Sequence, residues 1–338
     1  MRDGWRGALA LVWVVWLAAA CRAAAPAYPL RYRFAAGQSM VYETRGKAQG
    51  RVGMKLNGED RHPHLVLVEL AERTRYTVRS TQADGSALVE AQVMRLLISP
   101  QIPGQLLFGV EKRHDDLVVR TLARTFYAPL PDSGQPPPPE MLAAFSGFDP
   151  GVLLAPVTWL VTPTGQTTLK SGVPWPQRLS QQAPFGSLVT FYQPFATPFV
   201  ELPGRPLELG QEWEQSRRLP LPGNREETYG LDVLFALDSK RVLGRTDVVH
   251  LQFEGAATVQ DRPLKFVLPA GAAVPAVLEA LSHHLKGFAS FAYEQGRLLE
   301  QHLRCQVSTA SAVGAAKKSK YTLESVLEVD ASQTLLPE

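Results

Sequence analysis

The chain contains 338 residues with a formal net charge of +3, and 45% of its residues are hydrophobic and 20% charged. This composition is typical of a globular protein and excludes an intrinsically disordered chain. The small net charge comes without a basic stripe, so we expect no nucleic-acid partner. The two cysteines, Cys21 and Cys305, exclude a disulfide scaffold and a cysteine-rich zinc site.

The first residues predict an export signal. Residues 1–7 carry two arginines and one aspartate, and an unbroken apolar run follows from residue 8 to residue 20. A helix of this length rises about 20 Å, which is shorter than the roughly 30 Å hydrocarbon core of a membrane. A positive start, a short apolar run and small residues are typical of a secretory signal. We therefore expect residues 1–20 to be removed and the mature chain to be exported.

The end of this signal resembles a bacterial lipoprotein box. The residues are Leu17-Ala18-Ala19-Ala20-Cys21, with Ala18 where that family usually has leucine. The resemblance implies that Cys21 is lipidated and becomes the first mature residue, so that the lipid anchors the protein to a membrane. Arg22 is not the aspartate that retains such proteins in the inner membrane, which favours the outer membrane or the cell surface. The alternative is a signal extending to residue 27, with cleavage after Ala27 and a secreted or periplasmic product.

Residues 28–200 predict an N-terminal half rich in β-strands. Leu30, Tyr32 and Phe34 alternate with arginines, and later alternating stretches flank turns at residues 57–58 and 83–86. Alternating runs joined by glycine-containing turns predict antiparallel hairpins. Residues 139–145 predict a short helix, whereas residues 117–126 fit either a strand or a helix.

Residues 201–338 predict a second half of the same kind. Strands are predicted at residues 228–237, 247–253, 288–293, 297–307 and 321–329. The best helix candidate of the chain spans residues 275–286, which place apolar residues on one helical face between Pro275 and Gly287. Gly37-Gln38 and Gly210-Gln211 begin similar stretches, as an internal duplication would produce. The predicted fold class is mainly β with few helices, or α+β, with two curved antiparallel sheet halves and a helix packed on at least one.

A segment rich in proline and aromatic residues, residues 132–200, closes the N-terminal half. Its first part ends in four consecutive prolines, which favour an extended polyproline conformation. Six aromatic residues and five prolines lie between residues 173 and 200. One interpretation is a platform for a hydrophobic ligand or an envelope protein. The other is that the rings cover an open end of the β structure. The candidate contact residues are Trp175, Phe191, Tyr192, Phe195 and Phe199.

Catalytic and metal-binding motifs give weak signals. Nucleophile elbows, zinc-protease helices and phosphate-binding glycine loops are absent from the sequence. His62-Pro63-His64 and His283-His284 are interpreted as structural, and Cys305 as a small buried side chain. His114-Asp115-Asp116 is the first place to look for proton transfer, although a solvated loop is the favoured interpretation. We predict no catalytic residue, no metal and no cofactor.

Residues 30–34, then Gly37 and Tyr42, form short motifs that resemble the opening of a family of exported bacterial β-rich proteins of unknown function. Leu202-Pro203, Gly210 and Trp213 are similar to a later part of it, as is the hairpin at Gly296. The resemblance covers most of the mature chain. It implies an extracytoplasmic β-rich protein and supplies no catalytic residues.

These observations predict an extracytoplasmic lipoprotein of the cell envelope. We expect a non-catalytic binding or structural protein, with a hydrophobic ligand as candidate cargo, which is an inference from architecture. One alternative is an envelope hydrolase whose site is assembled across the fold. The other is an assembly adaptor that docks partners through residues 132–200.

Overall fold

The computed structural model describes residues 26–337, apart from 57–58, 101–107, 114–115, 122, 131–132, 146–148, 180–196, 222–223, 268–272 and 314–320. Within this part the chain is mainly β, as predicted, with two short helices and no helix long and apolar enough to cross a membrane. The helices are α1 (Pro139–Ala144) and α2 (Trp175–Leu179), and a 3-10 turn spans Pro150–Leu154.

The strands fall into two groups along the chain. The N-terminal strands are β1 (Ser39–Leu56), β2 (Glu59–Thr81), β3 (Ala87–Pro100), β4 (Phe108–Arg113), β5 (Asp116–Thr121), β6 (Thr125–Pro129), β7 (Val157–Val161) and β8 (Thr167–Ser171). The C-terminal strands are β9 (Glu212–Leu221), β10 (Asn224–Leu243), β11 (Thr246–Val267), β12 (Ala273–Ala292), β13 (Arg297–Val313) and β14 (Tyr321–Leu335).

All of these strands belong to one antiparallel sheet. The main path runs β6-β5-β4-β3-β2-β1-β14-β13-β12-β11-β10-β9, and the β7–β8 hairpin pairs with the start of β3. The first and last strands, β1 and β14, join the two halves, from Tyr42 opposite Leu335 to Leu56 opposite Tyr321. The predicted halves are therefore two parts of a continuous sheet, with edges at β6 and β9 among the described strands.

Alternation gives this sheet two different faces. In β2, Val68, Leu70 and Tyr76 are buried, whereas Glu69 and Arg73 point outward. The same phase continues through β1 and β14, and buried residues from both halves form one apolar cluster. We call the buried side the inner face and the charged side the outer face.

The helix predicted at residues 275–286 is wrong. These residues lie in β12, which pairs with β11 on one side and β13 on the other. A register shift between Leu278 and Ala280 lets Leu278 and Leu281 both face inward, so the leucine spacing fits a bulged strand as well as a helix. Pairing with two long neighbours therefore overrides the local helical pattern.

Two other local predictions are settled by the structure. Residues 139–145 form the short helix α1, as predicted, with Met141 buried and Pro139 in the first turn. Of the ambiguous residues 117–126, residues 117–121 lie in strand β5 and residues 125–126 begin β6.

The two halves enter the sheet through the same backbone hydrogen bonds. The Gly37 N–H donates to Val78 O, and the Val78 N–H donates to Gln38 O. In the C-terminal half the Gly210 N–H donates to Leu237 O, and the Leu237 N–H donates to Gln211 O. Both glycines have a positive φ, 82° and 83°. This repeated arrangement is what a duplication would produce.

Candidate functional site

The inner face contains a ladder of polar side chains at one level of the sheet. Gln301, Gln333, Thr44 and Glu72 are buried on β13, β14, β1 and β2, and each faces the next across a strand pair. The Gln301 amide donates to Gln333 Oε1 at 2.7 Å, and the Gln333 amide donates to Thr44 Oγ1 at 3.1 Å. Because its polar groups bond to one another, this ladder can lie inside an apolar core.

Glu72 ends the ladder in the N-terminal half. Burial raises the pKa of its carboxyl to about 7, although hydrogen bonds from Thr74 and the Trp175 indole favour the charged form. A small cavity of about 20 Å³ lies beside it, which suffices for one water molecule. Its lining includes Glu72, Thr74, Tyr76, Leu153, Trp159 and Trp175. The cavity is too small for an organic ligand.

The two described members of the predicted aromatic platform are buried. Trp175 is 5% exposed and Phe199 is 8% exposed. Phe199 packs edge-on against Tyr32 and Tyr76, with ring centroids 5.3 and 6.0 Å away. For these two rings the structure matches the interpretation in which they cover the β structure. Phe191, Tyr192 and Phe195 lie outside the described residues, as does Cys21.

Strand β9 presents a second group of polar side chains to the interior. Trp213, Gln215 and Arg217 occupy successive inward positions and lie opposite Phe235, Val233 and Leu231 of β10. Trp213 is 9% exposed and stacks on Phe235 at 5.1 Å. Within the described part of the chain, its indole N–H and Gln215 Oε1 have no hydrogen-bond partner. Such orphaned groups are rare in folded proteins and costly to bury.

Arg217 adds a charge to this group. Burial lowers the pKa of its guanidinium, while electrostatic interaction with Glu201, and then with Tyr32, opposes that effect. Neither residue forms an ion pair or hydrogen bond with Arg217 in the described residues; the Gln215 amide, in contrast, donates to Glu201 O at 2.7 Å. Tyr32 accepts a hydrogen bond from the Val200 N–H at 2.8 Å. We call Trp213, Gln215, Arg217 and Tyr32 the β9 cluster.

A cysteine and a histidine meet on the inner face of the C-terminal half. Cys305 Sγ lies 3.0 Å from His283 Nε2, and the Tyr229 hydroxyl lies 2.7 Å from His283 Nδ1. Burial raises the pKa of the Cys305 thiol to about 12, and burial followed by the charge of His284 lowers the pKa of His283 to about 4. Both groups are therefore uncharged at neutral pH, whereas a nucleophilic cysteine requires a thiolate. The prediction that Cys305 is a small buried side chain is confirmed.

The remaining histidine motifs give no compact site. His114 and Asp115 lie outside the described residues, and Asp116 is exposed at the start of β5. His62 and His64 belong to β2. Among the described residues no group of three or more histidines, cysteines or acids is placed to hold a metal ion.

The sequence reasoning missed Glu72 and the β9 cluster. A signal for both was present, because each charged side chain falls on the apolar phase of an alternating stretch. Glu72 lies between Leu70 and Thr74 on the inward positions of β2, and Arg217 shares its phase with Trp213. A charge in the buried phase is unusual and marks a position that requires explanation.

Comparisons with known proteins add little to this description. None of the protein-family models matches the chain, and no curated protein matches it. A solved structure of lipovitellin, described by its lipid–protein interactions, aligns with 90% of this chain at 10% identity and a TM-score of 0.34. The match covers 26% of the lipovitellin chain, so this protein spans about a quarter of it.

The toluene transporter TodX of Pseudomonas putida aligns with 89% of this chain and 90% of its own, at 9% identity and a TM-score of 0.13. Scores this low do not establish a shared fold. The fold and its interior themselves define the class: a predominantly antiparallel β protein with one apolar and one charged sheet face.

Proposed function

We propose that this protein is an exported lipoprotein of the cell envelope, anchored through Cys21, that binds a hydrophobic ligand against the inner face of its sheet. The observation that carries the binding proposal is the continuity of the apolar inner face across both halves, ending at strand β9 with unpaired polar groups. An apolar sheet face must be covered to be stable in water. In the described residues the helical cover consists of α1, α2 and one 3-10 turn, all beside the N-terminal half.

The outer face carries exposed ion pairs, as a sheet surface that contacts water does. Its ion pairs include Lys47 with Glu69 at 3.2 Å and Arg304 with Asp330 at 3.0 Å, and both pairs are substantially exposed. Exposed pairs of this kind keep a sheet soluble and contribute little to its stability. A ligand of apolar character is therefore expected on the inner face and not on the outer one.

Binding is favoured over catalysis by the state of the buried nucleophile. Cys305 and His283 have the geometry of a catalytic pair, but the raised pKa of the thiol and the lowered pKa of the imidazole leave both neutral. The Tyr229 hydroxyl occupies the other ring nitrogen, so the three side chains satisfy one another. This arrangement fits a packed interior.

Native mass spectrometry of the protein purified from its own membrane tests the proposal. The expected spectrum shows an acylated chain that begins at Cys21, together with a retained apolar molecule released by organic solvent. The control is Cys21→Ser, which should lose the acyl mass and the membrane association while keeping the apolar ligand. An unmodified chain that begins at Tyr28 would contradict the anchor, and a ligand-free spectrum of the native protein would contradict the binding proposal.

A further inference from the structure

The β9 cluster contains more hydrogen-bonding capacity than the protein itself uses. The Trp213 indole has one donor without a partner, and Gln215 Oε1 is an acceptor without one, in the described part of the chain. Trp213 is more than nine-tenths buried, so water does not compensate for its donor at the surface. A buried donor left in this state destabilises the protein unless something else accepts its hydrogen bond.

Arg217 gives the β9 cluster a positive charge. Its side chain points to the inner face, beside Leu231 of β10, and its electrostatic neighbours are Glu201 and the buried Tyr32. No ion pair neutralises it within the described residues. A guanidinium presents its donors in a plane that fits a carboxylate or a phosphate, through two parallel hydrogen bonds. The group that would complete this position is therefore an anion.

The surroundings of Arg217 restrict the kind of anion. Phe235, Val233 and Leu231 follow one another on the inner side of β10, and all are 2% exposed or less. Trp213 and Leu221 lie at the two ends of the inward row on β9. A small hydrated anion would lose its hydration beside this buried apolar wall, whereas the chain of an amphiphile has no such hydration to lose. The positive charge of Arg217 and the apolar side chains of β10 together favour a ligand with one anionic end and an apolar tail.

The position of β9 supplies a route of entry. It is an edge of the sheet, because among the described strands it pairs only with β10. At the other end of the main strand path, Phe126 of β6 contacts Phe145, which follows α1, with ring centroids 6.4 Å apart. An amphiphile that enters beside β9 reaches the inner face without breaking a strand pair.

We propose that the β9 cluster binds the anionic head group, carboxylate or phosphate, of an amphiphilic lipid, with Arg217 as the principal contact and the tail on the apolar inner face. This inference rests on the proposed function and specifies the ligand class. Trp213 donates its indole N–H to the same head group. Gln215 Oε1 remains available to a hydroxyl of the ligand or to a protonated acid.

The test compares three amphiphiles with the same tail by calorimetry on the mature protein stripped of endogenous ligand. Laurate has a carboxylate, dodecyl phosphate has a phosphate, and monolaurin is neutral. We expect at least one anionic amphiphile to bind on the order of tenfold or more tightly than monolaurin, since a charge-assisted bidentate contact is worth that much. The tighter of the two anions identifies the head-group chemistry.

Variants then locate the contact. Arg217→Gln should remove the preference for the anion and leave monolaurin binding unchanged, whereas Arg217→Lys should keep part of it. The matched control is Arg218→Gln, because Arg218 is the next residue on the same strand and is exposed on the outer face. Its binding should equal that of the unchanged protein. Thermal unfolding of each variant shows whether the fold is kept.

The outcomes separate this inference from the proposed function. If monolaurin binds as tightly as both anions, the head-group site is wrong while the hydrophobic ligand stands. If none of the three binds, the proposed function fails as well. Should Arg217→Gln not fold, the comparison of the three amphiphiles on the unchanged protein still decides the question.

Discussion

The two halves of the sheet begin with the same backbone hydrogen bonds, but they differ in the polar groups buried on their inner faces. Both start from a Gly-Gln pair hydrogen-bonded to the second strand of the half, at Gly37 and Gly210. In the N-terminal half the buried charge, Glu72, is hydrogen-bonded to Thr74 and Trp175 beneath the helical cover. In the C-terminal half Arg217 and the buried Trp213 lie on the edge strand β9, where the Trp213 indole N–H and Gln215 Oε1 have no partner among the described residues. The same scaffold thus holds one buried charge whose hydrogen bonds are satisfied within the protein and one group of polar side chains with unused hydrogen-bonding capacity.

The largest effect is expected where the two halves join. A Cβ at Gly50 of β1 would lie 2.1 Å from Val326 O and 2.7 Å from a Leu327 side-chain carbon of β14. We expect Gly50→Ala to destabilise the protein by about 3 kcal/mol, because the strands must move apart. Urea unfolding measures the change. Gly53→Ala on the same strand is the control, since nothing lies within 4 Å of its Cβ position. Equal effects of the two changes would contradict the close junction.

Glu72 should make the N-terminal half more stable in acid. Its pKa is about 7 when folded and 4.5 as a free side chain, so above pH 4.5 the unfolded chain loses this proton first. The contribution of Glu72 to the free energy of unfolding falls by about 3 kcal/mol as the pH rises from 4.5 to about 7, and it stays low at higher pH. Glu72→Gln should therefore stabilise the protein at alkaline pH. Urea unfolding across the range checks this, with Glu69→Gln on the outer face as the control. A parallel pH dependence in both variants would contradict the assignment.

His283 should act on the C-terminal half with the opposite sign. Its pKa is about 4 when folded and 6.5 as a free side chain, so the unfolded chain binds a proton first as the pH falls. As the pH falls from 6.5 to 4, the free energy of unfolding should decrease by up to about 3 kcal/mol because of His283. Over the same fall in pH, Glu72 contributes in the opposite direction. His283→Gln should remove the decrease, whereas His284→Gln at the exposed neighbour should leave most of it, because burial is the larger cause of the lowered pKa of His283. The measurement is urea unfolding between pH 4 and 7; an unchanged slope in His283→Gln would count against a neutral buried imidazole.

The smallest effect is expected on the outer face. Lys47 and Glu69 pair at 3.2 Å, but both side chains are largely exposed, at 68% and 47%. We expect Lys47→Ala to change the free energy of unfolding by less than about 1 kcal/mol, and less still at high salt. Urea unfolding at two salt concentrations measures this. A loss as large as that of Gly50→Ala would contradict the minor role of this exposed ion pair.

Much of the fold was predictable because alternation is a local signal. The strands around Gly85, Gly244 and Gly296 and the helix at residues 139–145 followed from turn residues and periodicity. The segment at residues 275–286 was predicted wrongly, because Leu278 and Leu281 are three apart and a bulge places both on one strand face. Only the neighbouring strands reveal that bulge. The joining of both halves through β1 and β14 is likewise a contact between the two ends of the chain, which no local pattern contains.

The candidate site was less predictable than the fold. The aromatic composition of residues 173–200 indicated Trp175 and Phe199 as candidate contact residues, but both are buried against the sheet. The phase of Arg217 within an alternating strand was readable, but its lack of an ion pair depends on where Glu201 and Tyr32 lie in space. His283 and Cys305 are 22 residues apart in sequence and meet only because β12 and β13 pair in one register. Predicting such a contact requires knowledge of the strand register, and the residue types alone do not supply it.

If an apolar ligand lies on the inner face beside β9, brominated laurate should quench the fluorescence of Trp213. A bromine on the lipid tail quenches tryptophans that it contacts. We expect saturable quenching of the mature protein, most of which is lost in Trp213→Phe and retained in Trp159→Phe, the control on β7 of the N-terminal half. Saturable binding with quenching unaffected by Trp213→Phe would show that the ligand lies elsewhere.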